Sequence, residues 1–166
     1  QIATGEQLWP VFSKDGKSLY FVGGPSIVEY DLETHQPRTL YRADHYIFRL
    51  ALSPDGQRLT FFEGPGEYRP NVVKTISTAG GQPNEIFRLE GDQIFTWGAG
   101  LSWMPDGTRL IVGGPKESGK PADLWSISVA GGEPRRLGLD ISMITHMSVH
   151  PDGKNIAFSY RDPKNK

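Results

Sequence analysis

Leu52-Ser53-Pro54-Asp55-Gly56-Gln57-Arg58-Leu59-Thr60-Phe61 is the stretch on which the fold turns, because it reads as strand end, tight turn and new strand in immediate succession. Proline presets φ for the turn, aspartate bonds its own backbone, and glycine takes the left-handed φ that other residues resist. After the turn, Leu59 and Phe61 fall on one side and Arg58 and Thr60 on the other, the period-2 pattern of a half-buried strand. Three further copies follow the same plan: Phe12-Ser13-Lys14-Asp15-Gly16, Trp103-Met104-Pro105-Asp106-Gly107 and Val149-His150-Pro151-Asp152-Gly153. Each glycine is followed three residues on by Leu19, Leu59, Leu110 or Ile156, and two further on by Phe21, Phe61, Val112 or Phe158. Asp15, Asp55, Asp106 and Asp152 are therefore read as turn formers and not as an array of catalytic acids, since an Asp-Gly hairpin needs that residue for geometry alone.

The glycines at 16, 56, 107 and 153 are 40, 51 and 46 residues apart, the period of a propeller blade. A second column supports the first. Thr34-His35-Gln36-Pro37, Gly80-Gly81-Gln82-Pro83 and Gly131-Gly132-Glu133-Pro134 each follow an alternating run: Ile27 to Leu32, Val72 to Thr78 and Leu124 to Val129. Each precedes a short run ending in Leu40, Ile86 or Leu137, so the Gly-Gly pairs suit a hairpin between a third and a fourth strand. The predicted fold class is all-β: a β-propeller of four-stranded antiparallel blades, with about three and a half blades of a larger propeller present. The predicted boundaries are about 8–41 for blade 1, 46–90 for blade 2 and 94–138 for blade 3, with a half blade 4 at about 143–162. A partial ring of this kind exposes broken blade edges, at Leu8 to Phe12 and Ile156 to Tyr160, and is compatible with a homodimer formed through them.

Composition agrees with a chain of short strands. No segment of ten or more residues holds a clean 3.6-residue apolar period, and 20 glycines with 13 prolines interrupt any helix. A hydrophobic content of 37% places the chain among globular and not disordered sequences. A net charge of −1 gives no electrostatic reason to expect nucleic acid or an anionic membrane as partner. No apolar run approaches the roughly 20 residues needed to insert across a bilayer. The stretch Gln1-Ile2-Ala3-Thr4-Gly5-Glu6 shows neither the charged nor the apolar region of a signal peptide. With no cysteine, disulfides and thiolate metal sites are excluded.

The pattern apolar-Ser-Pro-Asp-Gly-x-x-Leu-x-Phe, followed by an alternating strand and Gly-Gly-x-Pro, resembles the TolB-like propeller repeat over about residues 8 to 163. It departs from that repeat at Lys14, where proline is usual, at Val149, where an aromatic is usual, and in a long loop from Glu63 to Pro70. The resemblance implies the propeller fold. It also implies a non-catalytic module that binds a protein or small ligand, the sensor or scaffold part of a larger bacterial protein. A second implied role is the accessory, substrate-gating propeller of a prolyl-oligopeptidase-type serine peptidase whose catalytic domain lies elsewhere. The resemblance leans toward an extracytoplasmic or periplasmic setting; the residues themselves assign no compartment.

Motifs that suggest chemistry fail on their context. Gly114-Pro115-Lys116-Glu117-Ser118-Gly119-Lys120 matches seven positions of a phosphate-binding P-loop, but Pro121 replaces the magnesium-binding hydroxyl and a strand replaces the required helix. His146 and His150 sit four apart on a predicted strand, where that spacing spans roughly 13 Å, too far for one zinc ion. His35 and His45 stand apart from them in turn and connecting segments, and no G-x-S-x-G nucleophile elbow occurs. Glu63, Glu67 and Asp123 are scattered carboxylates in predicted loops. Trp103 and Trp125 fall at packing positions of the repeat, and Trp9 and Trp97 with them are read as blade packing, not as a ligand platform. No catalytic, cofactor-binding or metal-binding residue is predicted. Innermost blade strands lead into the axial channel, which makes Arg49, Ala51, Gly98, Gly100, Thr145 and Met147 the predicted ligand-lining residues.

Overall fold

Each Asp-Gly turn is closed by the same small set of bonds. The amides of Gly16, Gly56, Gly107 and Gly153 donate to the carbonyls of Ser13, Ser53, Met104 and His150 at 3.0, 2.8, 2.9 and 2.9 Å. The four glycines have φ between 69° and 78°, the left-handed conformation the sequence requires of them. One aspartate oxygen of each turn accepts the amide two residues on: Lys17, Gln57, Thr108 or Lys154. In the first two turns the serine hydroxyl donates to that aspartate and accepts the amide of Ser18 or Arg58. Lys14, standing where proline is usual, leaves this arrangement intact.

These turns join strands in a computed structural model that describes residues 9–66, 69–95, 100–115, 123–139 and 144–160. The first sheet runs β1 (Val11–Phe12), β2 (Ser18–Gly23), β3 (Ser26–Asp31) and β4 (Pro37–Arg42) in sequence order. The second runs β5 (Tyr46–Leu52), β6 (Arg58–Gly64), β7 (Val72–Ser77) and β8 (Asn84–Arg88). The third holds β9 (Leu101–Trp103), β10 (Arg109–Gly113), β11 (Leu124–Ser128) and β12 (Arg135–Arg136), and the fourth pairs β13 (Ile144–Val149) with β14 (Ile156–Tyr160). The recorded pairings are antiparallel, and no helix occurs among the described residues. Among the described residues no helix is therefore long and apolar enough to cross a membrane. The sequence places Glu63 in a loop; it stands instead in β6, which runs on to Gly64 because Glu63 pairs with both Ile47 and Val72.

Contacts divide the chain into two compact units, residues 1–85 and 86–166, with the division inside β8. In the first unit, Tyr20, Val22, Ile27, Leu40 and Ala43 of the first sheet and its exit meet Ile47, Leu50, Leu59, Phe61 and Ile76 of the second. Ile27, Leu59 and Phe61 are fully buried, each contributing about 1.5–3 kcal/mol of hydrophobic stabilisation. Arg38 on β4 fastens the outer strands of this unit. It donates through Nε and Nη2 to Glu29 at 2.8 and 2.6 Å, and to the carbonyls of Ala79 and Thr78 at 3.0 and 3.2 Å. In the second unit Ile111 and Leu124 of the third sheet pack with Ile144 of β13, and Met147, Val149, Ile156 and Phe158 close around them.

Two expected outcomes follow from the turns. A Cβ added at Gly16 meets nothing within 4 Å, whereas one at Gly56 lies 2.9 Å from Cβ of Lys14. Gly16→Ala should cost about 1 kcal/mol from backbone strain alone, and Gly56→Ala should cost more, a ranking that urea unfolding midpoints will read. The carboxyls of Asp15 and Asp55 are held below the ordinary 3.8 chiefly by Ser13 and Ser53, and those of Asp106 and Asp152 chiefly by the Thr108 and Lys154 amides. Their bonds therefore stabilise the fold above pH 3.8, and that stability is lost as pH falls through the lowered values. Thermal midpoints should drop below about pH 4, and drop less in the fourfold Asp→Asn variant, whose amides keep the turn but do not titrate.

Candidate functional site

The first strand of the second sheet carries a defect in its alternation. Phe48 pairs with Phe62 and Leu50 with Phe61, so Arg49 is an extra residue, a β-bulge. Its φ of 55° is unusual for an arginine. The bulge lets Ile47 and Leu50 both face the buried core while Tyr46 and Phe48 share the other face. The Arg49 guanidinium lies over the Trp9 ring, 5.5 Å from its centroid. Trp9 in turn packs on Phe48 at 6.2 Å, and Phe48 stacks on Tyr46 at 6.3 Å. Trp9 also has positive φ, 34°, so two of the three such non-glycine residues among those described touch each other here; His35, in a turn, is the third. Burial lowers the pKa of Arg49, although the group stays charged at any ordinary pH. Phe48 is buried, Trp9 and Arg49 are half-buried, and Tyr46 is 50% exposed.

The other predicted lining residues divide between the two units. Ala51 stands two residues after Arg49 on β5 and is half-buried. In the second unit Gly100 and Met147 are brought together: a Cβ on Gly100 would lie 2.6 Å from the methionine's Cε, so only glycine leaves that side chain its place. Thr145 falls at the irregularity of β13, between Ile144 and His146, with its side chain outside the described residues. Gly98 lies wholly outside them, as do Trp97, Glu67 and residues 116–121 of the P-loop look-alike. Of that run, Gly114 bonds the carbonyl of Asp123 at 2.7 Å, and the Trp125 ring occupies the space a side chain there would need.

The buried carboxylates have structural partners. Glu63, 5% exposed, accepts from Lys74 Nζ at 2.7 Å and from the Tyr41 hydroxyl at 3.2 Å. Burial, and then the Glu63 charge, push the Tyr41 phenol up to about 12. Asp123 precedes β11 and is 3% exposed. Burial alone would raise its pKa, but the amides of Leu139, Gly138 and Leu124 and the Nε of Arg136 together hold it below the usual range. Trp103 is buried, and Trp125 packs on Phe87 at 6.2 Å. His146 and His150 are exposed, with His150 Nδ1 3.0 Å from Asp152 in its own turn. Among the described residues no group of three or more His, Asp or Glu could hold a metal ion.

Comparison with solved structures decides the architecture. The chain superposes on TolB from Acinetobacter baumannii with a TM-score of 0.74 at 18% identity, over 99% of this chain and 40% of that one. The TolB-like protein of Agrobacterium tumefaciens gives 0.76 at 19% identity, over 96% of this chain and 56% of that one. This chain has the TolB-like β-propeller fold. A chain of the nidogen–laminin complex matches with a TM-score of 0.69 at 15% identity, over 91% of this chain and 55% of that one. No family model and no curated protein matches the sequence. The propeller segment thus spans about half the length of the TolB structures it resembles, with each Asp-Gly turn joining the first and second strands of a blade.

Sequence reasoning singled out Arg49 and read Trp9 as blade packing, which its packing on the first core bears out, but gave no sign of the contact between the two or of Tyr46 beside them. The available signal was the three-residue separation of the apolar pair Ile47 and Leu50, which puts them on opposite faces of a strand unless a bulge intervenes. Arg49→Gly relieves the left-handed backbone and should be the milder of two substitutions at this position. Arg49→Val keeps the strain, adds a β-branch and should be at least about 1 kcal/mol worse than the glycine variant. Chemical unfolding of the two variants side by side checks the order.

Proposed function

We propose that this chain is a non-catalytic propeller segment, the sensor or scaffold part of a larger bacterial protein, which binds a protein partner or small ligand along the first strands of its blades. Residues 8–41, 46–90, 94–138 and 143–162 are its successive blades in this reading, the last a half blade. The observation that carries the proposal is the Arg49 bulge. Strained backbone persists where the surrounding structure over-determines it, and such outliers concentrate at sites of recognition or chemistry. Chemistry is disfavoured by the state of the acids. A general acid or base works best with a pKa near the working pH, whereas Asp15, Asp55, Asp106, Asp123 and Asp152 are all held lower than usual by their own hydrogen bonds. The similarity to a chain of the nidogen–laminin complex is in keeping with a protein partner. No observation on the described residues favours the substrate-gating alternative.

Incubation of the purified chain with peptide, ester and phosphoester substrates should give no turnover. A turnover that survives repurification and is abolished by one substitution within the chain would overturn the proposal.

A further inference from the structure

The four Asp-Gly turns share one chemistry and differ in how firmly each aspartate is held. An aspartate followed by glycine is prone to spontaneous ring closure, because glycine offers its amide nitrogen with no side chain in the way. The glycine nitrogen attacks the carboxyl carbon of the protonated acid, the bond to the hydroxyl breaks, and one water leaves with the amide proton. Water then opens the resulting succinimide at either carbonyl. One way restores aspartate, and the other gives isoaspartate, whose main chain runs through the side-chain carbon. No reactant but water enters or leaves. In the closed turns neither partner is ready. The glycine amides donate to carbonyls at 2.8 to 3.0 Å, and hydrogen bonds hold the carboxyls of Asp15, Asp55, Asp106 and Asp152 below the ordinary 3.8 and so ionised. The reaction therefore runs from a turn that has opened locally, and its rate at each aspartate follows how often that turn opens.

The side chains that keep each turn shut are unequal. Ser13 and Ser53 donate their hydroxyls to Asp15 and Asp55, and Arg58 Nη2 adds a contact with Asp55 Oδ2 at 3.7 Å. Asn155 donates through Nδ2 to Asp152 at 3.1 Å. In the third turn Met104 stands where the first two have serine. Arg109, the counterpart of Arg58, turns instead to the hydroxyl and carbonyl of Ser126 on β11, at 2.6 and 3.1 Å. Asp106 is left to Thr108, whose amide donates to it at 2.9 Å. We propose that Asp106-Gly107 is a site of spontaneous covalent modification, where aspartate passes to isoaspartate faster than in the other three turns. The product adds one carbon to the main chain of a turn whose length sets the pairing of β9 with β10, so its formation loosens the third sheet from the Asp-Gly end.

The test holds the protein in warm neutral buffer for several weeks and measures isoaspartate at each of the four turns by peptide mapping, with electron-transfer fragmentation separating it from aspartate. Asp106 should convert about threefold faster than any of the other three, near the least that one hydrogen bond contributes. In concentrated urea, where no turn persists, the four rates should converge. Ser53→Ala, which removes one of the clamping hydroxyls, should raise the rate at Asp55 by a similar factor and leave the other three unchanged. Met104→Ser, which supplies the missing hydroxyl, should slow Asp106. Because Met104 packs on the core of the second unit, circular dichroism checks the fold of that variant, and Ser53→Ala decides the matter should it fail to fold. Three results would overturn the inference: an Asp106 rate no higher than those of Asp15, Asp55 and Asp152, a lead for Asp106 that persists in urea, or a Ser53→Ala variant in which Asp55 is unaltered or all four sites accelerate together.

Discussion

The bond from an aspartate oxygen to the amide two residues on fixes where each blade's first hairpin turns, and the rest of each sheet takes its register from that point. With glycine at left-handed φ beside it, the turn has one length and one hand. The first and second strands therefore pair so that Leu59 and Phe61 reach the core and not solvent. A slip of one residue would put Arg58 and Thr60 in the places of Leu59 and Phe61 and set a charge where a buried apolar side chain packs; Thr60 and Phe62 are buried on the other face, so both faces of β6 hold the register. The turn selects the register, and the core holds it.

Much of the fold was legible because its determinants are local. Proline, aspartate and glycine at fixed offsets specify a turn without reference to anything distant, and alternation specifies a strand face. The four hairpins of Asp15, Asp55, Asp106 and Asp152 follow directly from those rules. What lay beyond the sequence is what depends on two segments meeting. Glu63 reads as the first residue of the long loop to Pro70. The strand continues to Gly64 because Glu63 pairs with both Ile47 and Val72, and the missing side chain at Gly64 leaves room for the Arg69 carbonyl. The partners of Asp123 also depend on two segments meeting, since Gly138 and Leu139 follow the neighbouring strand β12.

The candidate site shows the same division. Arg49 could be placed on the first strand of a blade from spacing alone, yet its left-handed backbone and its contact with Trp9 accompany a conflict between core positions Ile47 and Leu50, resolved by extruding one residue. Periodicity marks where alternation fails, but not which aromatic ring receives the displaced side chain. Ala51 and Arg49 share a strand in one unit, and Gly100 and Met147 touch in the other.

The lengths of the connections have a consequence of their own. Residues 13–17, 53–57, 104–108 and 150–155 join first strands to second, and 32–36, 78–83 and 129–134 join third strands to fourth, five or six residues each. At the opposite end of each sheet, second and third strands are separated by residues 24–25, 65–71 and 114–123, and successive sheets by 43–45, 89–100 and 137–143. One end of every blade is thus cut to a fixed gauge, while the other ranges from two residues to twelve. Loop closure grows only slowly more costly with length, so the ungauged end can accept new sequence without disturbing the strands. Tyr46 starts its strand at that end. Sequence diversity can accumulate there, on loops at the opposite end of each sheet from the turns that define the repeat.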